Sequence, residues 1–226
     1  MRKLTTPSLL LTVTIMTTEK EKIVTEFPPR EKARVYEQEA LRIRALAGIP
    51  IDQSLNPYRL ARLARLHVIT LDDINNLSEE SRQQLLMNDP DSWSGGTIGP
   101  LPNGWGLVVL NPRHSHRRNV ATLMEEICHV FLGHTPSRVN LPVGNGQGKI
   151  AFRDYNEEDE KAAYAVGAAT LVPYQVLRQA IQQSLTAEQI AGRYGVSVDL
   201  VEYRIKVTGL WAIYKNSPRQ ENSSSL

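Results

Sequence analysis

Side chains that could bind a metal occur together near the middle of the chain, in the pentapeptide Glu125-Glu126-Ile127-Cys128-His129. Residues four apart lie on one face of a helix, so Glu125 and His129 can approach the same ion. This is the spacing of the H-E-x-x-H signature, whose two ligands flank a glutamate that handles the attacking water. The pattern indicates metal-assisted hydrolysis, although a helix whose charged face is merely solvated carries the same spacing.

The first position of the pentapeptide departs from that signature. Glu126 takes the place of the water-handling glutamate and His129 that of the second ligand, whereas Glu125 stands where a histidine is usual. A second carboxylate makes the ligand set harder and adds negative charge, which favours Mn²⁺ or Fe²⁺ relative to Zn²⁺ and lowers the Lewis acidity of the ion. A glutamate is nevertheless long enough to reach an ion held by His129.

Other reactive side chains nearby fit less well. Cys128 is followed directly by His129, and adjacent helix residues do not face one another, so we expect a buried apolar cysteine and no nucleophile. His114 and His116 are two residues apart in a predicted loop, and neither has a second ligand at the spacing of one helical turn. We expect both on the surface. His134 lies beyond the face that Glu125 and His129 share, and stays a reserve ligand.

Composition limits the class of protein. The chain has 226 residues, 41% of them hydrophobic, which suffices for one core of ordinary domain size. Its 26 basic and 24 acidic residues give a net charge of +2, too small to require a polyanionic partner. The single cysteine excludes an internal disulfide and suits a reducing cytoplasm. Since apolar runs are too short to cross a bilayer, we expect a cytoplasmic protein without a membrane partner.

The amino terminus superficially imitates a signal peptide, because Met1-Arg2-Lys3 precedes the apolar run 9–15. That run is short, contains threonines and lacks a small-residue cleavage site, which argues against secretion. We expect residues 1–29 to be a flexible extension, with Met16 as an alternative translation start.

The elements around the pentapeptide can be predicted from local signals. Ser115 is a suitable N-cap and Gly133 a suitable end for the pentapeptide's helix. Asn156 can cap a later helix whose first turn is acidic and whose body is rich in alanine and glycine, which allows close packing. Segments 93–99 and 105–111, joined through Asn103-Gly104, predict a hairpin. We also expect a helix over 30–47 and a strand over 67–71.

A helix-turn-helix pattern follows near the carboxyl end, with Thr186 and Ser197 as N-caps and Gly195 at the turn. A DNA reader needs basic and amide side chains at the start of the second helix, but Val198-Asp199-Leu200 stands there, and Asp199 repels phosphate. We therefore expect a structural or substrate-docking role, and not DNA binding.

These motifs together resemble the ImmA/IrrE family of metallopeptidases over residues 45 to 212. The resemblance rests on Thr122-Leu123 before the pentapeptide, Gly133-His134 after it, and a helix that runs from Glu160 through Ala162-Ala163 to Leu171-Val172-Pro173. It implies an α+β fold, mostly helical and zincin-like, with a small antiparallel sheet and a carboxyl-terminal helix-turn-helix-like segment. It also implies Glu126 as the catalytic residue and Glu125, His129 and Glu160 as ligands of Zn²⁺. Glu157, one turn earlier, is the second choice for the third ligand.

The function implied is hydrolysis of a peptide bond in a protein substrate. By resemblance, that substrate is a helix-turn-helix repressor of a stress or mobile-element regulon. Two alternatives stay open: a catalytically inactive relative that binds such a regulator, and a DNA-binding regulator that uses residues 186–206. The predicted organisation is an extension (1–29), a metallopeptidase-like domain (30–183), the helix-turn-helix-like segment packed on it (184–215) and a disordered tail (216–226).

Overall fold

Helices make up most of the structure, a computed structural model that describes residues 26–74, 77–88, 90–98, 100–134 and 156–217. In these ranges the α-helices and β-strands are α1 (Glu31–Leu46), α2 (Pro57–Leu63), β1 (Leu66–Thr70), α3 (Glu79–Gln83), β2 (Gly95–Ile98), β3 (Gly106–Leu110), α4 (His116–Phe131), α5 (Glu157–Leu171), α6 (Tyr174–Gln182), α7 (Ala187–Tyr194), α8 (Val198–Val207) and α9 (Trp211–Asn216). The predicted α+β class with a small sheet is confirmed.

The helices α4 and α5 begin where their capping residues predict. The Ser115 hydroxyl accepts a hydrogen bond from the Arg118 amide, and the Asn156 side chain accepts one from the Glu158 amide. α4 ends just before Gly133, whose φ of +70° is left-handed and favours glycine. Local chemistry therefore fixes both starts and the end of α4.

The helix α5 lies at the centre of the fold and packs against α1, α4 and α8. Its carboxyl-terminal half is almost wholly buried and consists largely of small residues, namely Ala163, Ala165, Gly167, Ala168 and Ala169. At Gly167 a Cβ atom would lie 3.4 Å from the backbone of Met124 and Glu125. The absence of a side chain there lets the backbones of α4 and α5 approach closely, as their composition predicts.

The sheet has the strand order β1-β3-β2. The predicted hairpin is confirmed, since β2 pairs antiparallel with β3. β1 pairs parallel with β3, so the sheet is mixed and the expectation of a wholly antiparallel sheet was wrong in this respect. In a parallel pair the chain must return to the end of the sheet at which the first strand begins. Thr70 and Gly95 both lie beside Leu110, so the segment between β1 and β2 starts and ends at one end of the sheet, and β2 itself makes the return.

Alternate residues of β3 face two different apolar clusters. Val108 and Leu110 join the main core with α4 and α5, whereas Val109 packs with Leu71 and Leu86 on the opposite face. The period of two that defines a strand thus buries both faces of the small sheet, and one of them lies against α4.

The helix-turn-helix pattern forms as predicted, with capping by Thr186 and Ser197 and a left-handed Gly195 at the turn. Its second helix, α8, is joined to the rest of the fold by a buried ion pair. Arg204 donates to the Glu37 carboxylate of α1 at 2.6 Å and to the Val172 carbonyl at 3.0 Å. Glu37 also accepts from the Tyr174 amide at 2.6 Å, so one buried cluster links α1, α8 and the start of α6.

Two predicted segments fall largely outside the described residues, namely the extension 1–29, described only from residue 26, and the tail 216–226, described only to residue 217. Throughout the described ranges, none of the helices combines the length and apolar character that a bilayer crossing requires.

Candidate metal centre

Glu125, His129 and Glu160 come together between α4 and α5. Each offers one ligand atom, and these three atoms lie within 4.8 Å of one another. His129 is 5% exposed, and its Nε2 lies 3.5 Å from Glu160 Oε2. The structure thus places the three residues proposed from the sequence close enough to share one ion.

The two helices position this cluster in different ways. Glu125 and His129 share a face of α4 because they are four residues apart. Glu160 sits in the first turn of α5, and the close approach of the helices at Gly167 brings that turn beside α4. The second choice for the ligand, Glu157, is exposed and pairs with Lys161 at 2.5 Å, so it does not belong to the cluster.

The carboxylate of Glu126 is held by the sheet. The Thr97 hydroxyl of β2 donates a hydrogen bond of 2.6 Å to Glu126 Oε2. Glu126 is half-buried and lies three residues before His129, a spacing that makes two side chains neighbours on a helix surface, and one of its carboxylate oxygens is fixed by the strand.

A second contact aligns β2 with α4. Gly95 and Thr97 lie on one face of the strand, and Thr122 and Glu126 lie on one face of the helix. A Cβ atom at Gly95 would come 2.7 Å from the Thr122 methyl group, so only glycine permits the strand to lie this close. Gly95 therefore brings Thr97 within reach of Glu126.

His134 lies directly beside His129. The Nδ1 atoms of the two rings are 3.0 Å apart, and the rings meet edge to face at 70°. His134 Nε2 lies 3.7 Å from Asp159 Oδ1, one residue before Glu160 on α5. His134 is outside the group of three whose ligand atoms converge, so it occupies a position behind His129 and not that of the missing first ligand.

The cysteine is unsuited to nucleophilic chemistry. Cys128 is fully buried, and this burial raises the pKa of its thiol, with the Glu125 carboxylate adding to the effect. A thiolate is the reactive form. The expectation that Cys128 is an apolar filler agrees with this position.

The two loop histidines differ from each other. His116 is exposed and stacks on Tyr58, as expected for a surface residue. The expectation was wrong for His114, whose side chain is only 2% exposed. The turn before α4 folds this ring inward, and among the described residues neither ring nitrogen has a hydrogen-bond partner; Asp91 Oδ1 is 3.7 Å from Nε2.

Burial, followed by the positive charge of Arg118, lowers the pKa of His114 from its ordinary value of 6.5, and Asp91 only partly opposes this. The unfolded chain therefore binds a proton at a pH where the folded chain does not. The free energy of unfolding should fall as the pH drops below 6.5, and His114→Phe should remove this part of the fall. Urea denaturation of both proteins at pH 7.5 and at steps down to 5 measures the difference. Identical pH dependence in the two proteins would contradict the assignment.

The donor set suits a divalent transition metal. Two carboxylates and one imidazole converge from two rigid helices, and the nitrogen that faces them can carry a lone pair. Imidazole favours zinc and iron, whereas carboxylates favour manganese and other hard ions. The residues therefore fit a divalent ion without selecting one metal by type alone.

Comparison with known families identifies the part of the chain that carries this cluster. A family model described as the peptidase M78, IrrE N-terminal-like domain matches residues 97–206. Residues 97–206 are similar to an IrrE N-terminal-like domain. The match extends from β2 into α8 and includes Glu125, Glu126, His129 and Glu160, so the family resemblance inferred from the motifs is confirmed.

A solved structure described as a Mycobacterium tuberculosis transcriptional regulator is similar to this chain at 14% identity with a TM-score of 0.47. The similarity covers 76% of this chain and 46% of the regulator, so the chain spans less than half of that protein's length. No curated protein matches the chain.

Three residues around the IrrE-like site were not recognised as contributors in the sequence. These are Thr97, Gly95 and Asp159, which act through contacts between elements distant in the chain. Strand alternation places Gly95 and Thr97 on one face, and this is the only local signal for them. That the face meets α4 could not be inferred without the docking of the sheet.

Proposed function

We propose that the IrrE-like domain is a metal-dependent endopeptidase that hydrolyses a peptide bond in a protein substrate. The observation that carries the proposal is the convergence of Glu125, His129 and Glu160, with Glu126 held beside them by Thr97. The match of residues 97–206 to the M78 peptidase family supports a protease or regulator-related role. Glu125, His129 and Glu160 would hold the ion, Zn²⁺ or, given the two carboxylates, Mn²⁺ or Fe²⁺.

Each of the chain's own groups has a role in this reaction. A bound divalent ion would supply Lewis acidity, which polarises the scissile carbonyl and makes water easier to deprotonate. Glu126 takes the proton of the attacking water and passes it to the leaving amine. The Thr97 hydroxyl donates to one oxygen of Glu126 and so restricts the orientation of the carboxylate that makes this transfer.

The sheet offers a place for the substrate chain. β2 lies at the edge of the sheet and its Thr97 contacts Glu126, so a peptide that pairs with the open side of β2 would run past the catalytic carboxylate. By its family, the substrate we propose is a helix-turn-helix repressor in the cytoplasm that controls a stress or mobile-element regulon.

A catalytically inactive relative that binds such a regulator is the second candidate function. The observation in its favour is Glu125, which replaces the imidazole usual in the family and lowers the Lewis acidity of any ion that the site holds. This candidate keeps the same substrate-binding face and predicts binding without cleavage.

Two features of α8 count against the DNA-binding alternative. Its buried Arg204 pairs with Glu37 and so is not available to phosphate. Its outer face carries Asp199 and Glu202, and Lys206 pairs with Glu202 at 3.4 Å. A surface of this charge repels a nucleic acid backbone.

Glu126→Gln tests the peptidase proposal. After loading with Zn²⁺ or Mn²⁺, the protein is incubated with a denatured bacterial proteome, and newly formed amino termini are identified by mass spectrometry. We expect the natural protein to generate new termini and Glu126→Gln to lose roughly 100-fold or more of this activity, because its side chain cannot take a proton. Metal content should be unchanged, since Glu126 is not a ligand.

Glu157→Gln is the matched control, because this carboxylate is exposed, pairs with Lys161 and lies outside the group of converging ligand atoms. It should cleave like the natural protein. Equal cleavage by Glu126→Gln would assign the activity to a contaminant. A metal-loaded natural protein that generates no new termini would favour the inactive relative.

A further inference from the structure

The side of His129 that faces away from the metal cluster makes a specific contact. Its Nε2 lies toward Glu160, at 3.5 Å from Oε2, whereas its Nδ1 lies 3.0 Å from Nδ1 of His134. His134 in turn directs its Nε2 toward Asp159 Oδ1, at 3.7 Å. The side chains of His129, His134 and Asp159 thus lie one beside the next, from the proposed metal ligand to a carboxylate.

The direction of the hydrogen bond in this series follows from proton counting. Two neutral imidazole nitrogens 3.0 Å apart share a single proton, so one donates and the other accepts. If His129 binds an ion through Nε2, that nitrogen must carry a lone pair, and its proton must sit on Nδ1. His129 then donates to His134, and the proton of His134 sits on Nε2, the nitrogen that faces Asp159.

The backbone geometry at the end of α4 places His134 beside Nδ1 of His129. The left-handed Gly133 ends α4 and turns the chain back, so that the His134 amide donates to the His129 carbonyl at 3.0 Å. The Gly133 amide donates to the Val130 carbonyl in the same turn. This turn at the helix end fixes the separation of the two rings by local hydrogen bonds.

We propose that His134 is a positioning residue for the metal ligand His129, and that Asp159 orients His134. The proposal rests on the metal site proposed above. The second nitrogen of a ligating histidine usually donates to a carboxylate, carbonyl or water, which fixes the tautomer and the ring orientation. In this chain the imidazole of His134 takes that role. The helix α5 supplies both the ligand Glu160 and the Asp159 carboxylate that faces His134.

The first test is the tautomer of His129 in the Zn²⁺-loaded protein, read from the ¹⁵N shifts of the two ring nitrogens by NMR. We expect the proton of His129 on Nδ1 and that of His134 on Nε2. His134→Asn keeps an acceptor near the position of Nδ1 and should preserve the hydrogen-bonded shift of the Nδ1 proton of His129, whereas His134→Leu should lose this shift. A His129 proton on Nε2 in the natural protein would overturn the proposal.

The second test is affinity for Zn²⁺ and Mn²⁺, measured by competition with a chelator. His134→Leu and Asp159→Asn should weaken binding by roughly 10- to 100-fold, and His134→Asn should recover most of it. His116→Leu is the matched control, because that histidine is exposed and its ring stacks on Tyr58. Chemical denaturation of each variant establishes that it is folded.

The outcomes separate this inference from the proposed function. Equal affinity of His134→Leu and His116→Leu would overturn the positioning role. A changed ligand number in the Co²⁺ absorption spectrum of His134→Leu would make His134 a ligand and also overturn it. If the natural chain binds no metal, the proposed function fails; if it binds metal and His134→Leu leaves the affinity unchanged, the positioning role alone fails.

Discussion

Glu125→Ala is expected to weaken binding of a divalent transition metal by at least roughly 100-fold, because it removes one of three converging protein ligands and not merely a group behind them. Glu125→His should retain binding and shift the preference from Mn²⁺ toward Zn²⁺, since imidazole replaces a hard carboxylate. Chelator competition with each metal, together with metal analysis of the purified proteins, measures both effects.

Glu157→Ala serves as the control for added or lost charge, because Glu157 is exposed on α5 and pairs with Lys161. It should bind metal like the natural protein. If Glu125→Ala binds as tightly as this control, Glu125 is not a ligand. If the natural protein binds no metal and Glu125→His does, position 125 is a ligand that the chain has lost, and the inactive relative becomes the better account.

Glu37→Gln is expected to lower the free energy of unfolding by roughly 3–5 kcal/mol, because it leaves the Arg204 guanidinium buried without its counter-charge. The side chains of Glu37 and Arg204 are 1% and 2% exposed, so water cannot replace the lost partner. The glutamine oxygen can still accept from the Tyr174 amide, but the glutamine NH2 group then faces the Arg204 guanidinium, so the variant loses the counter-charge and the hydrogen bond to Arg204. Urea denaturation followed by circular dichroism measures the difference.

Glu39→Gln gives the comparison on the same helix. Glu39 pairs with Arg42 at 2.8 Å, but the Arg42 side chain is 74% exposed and the pair is solvated. Its loss should cost less than about 1 kcal/mol. Similar stabilities of the two variants would contradict the view that the buried pair holds α8 against α1.

Local sequence features correctly predicted several helix ends and the hairpin. The N-caps Ser115, Asn156 and Thr186, the left-handed glycines at helix ends and the Asn-Gly hairpin were found at their predicted places. Each depends on hydrogen bonds or dihedral angles within a few residues, so the signal is contained in the local sequence.

Predictions that depended on distant contacts were less complete. The burial of His114 was missed, because a turn of polar residues is ordinarily a surface feature and the sequence carries no local signal that this ring faces inward. The parallel pairing of β1 with β3 was missed as well, since a short strand has no local signal for the direction of its partner.

By itself the sequence determined which residue types could bind a metal and that Glu125 and His129 share a helix face, because helical periodicity is a local property. Only the tertiary structure brought Glu160 beside His129 and the Thr97 hydroxyl within hydrogen-bond distance of Glu126. It also placed Asp159 beside His134, the neighbour of the proposed ligand His129. The reason is that these distances are set by close backbone approach at Gly167 and Gly95, where the missing side chains matter only once two elements have met.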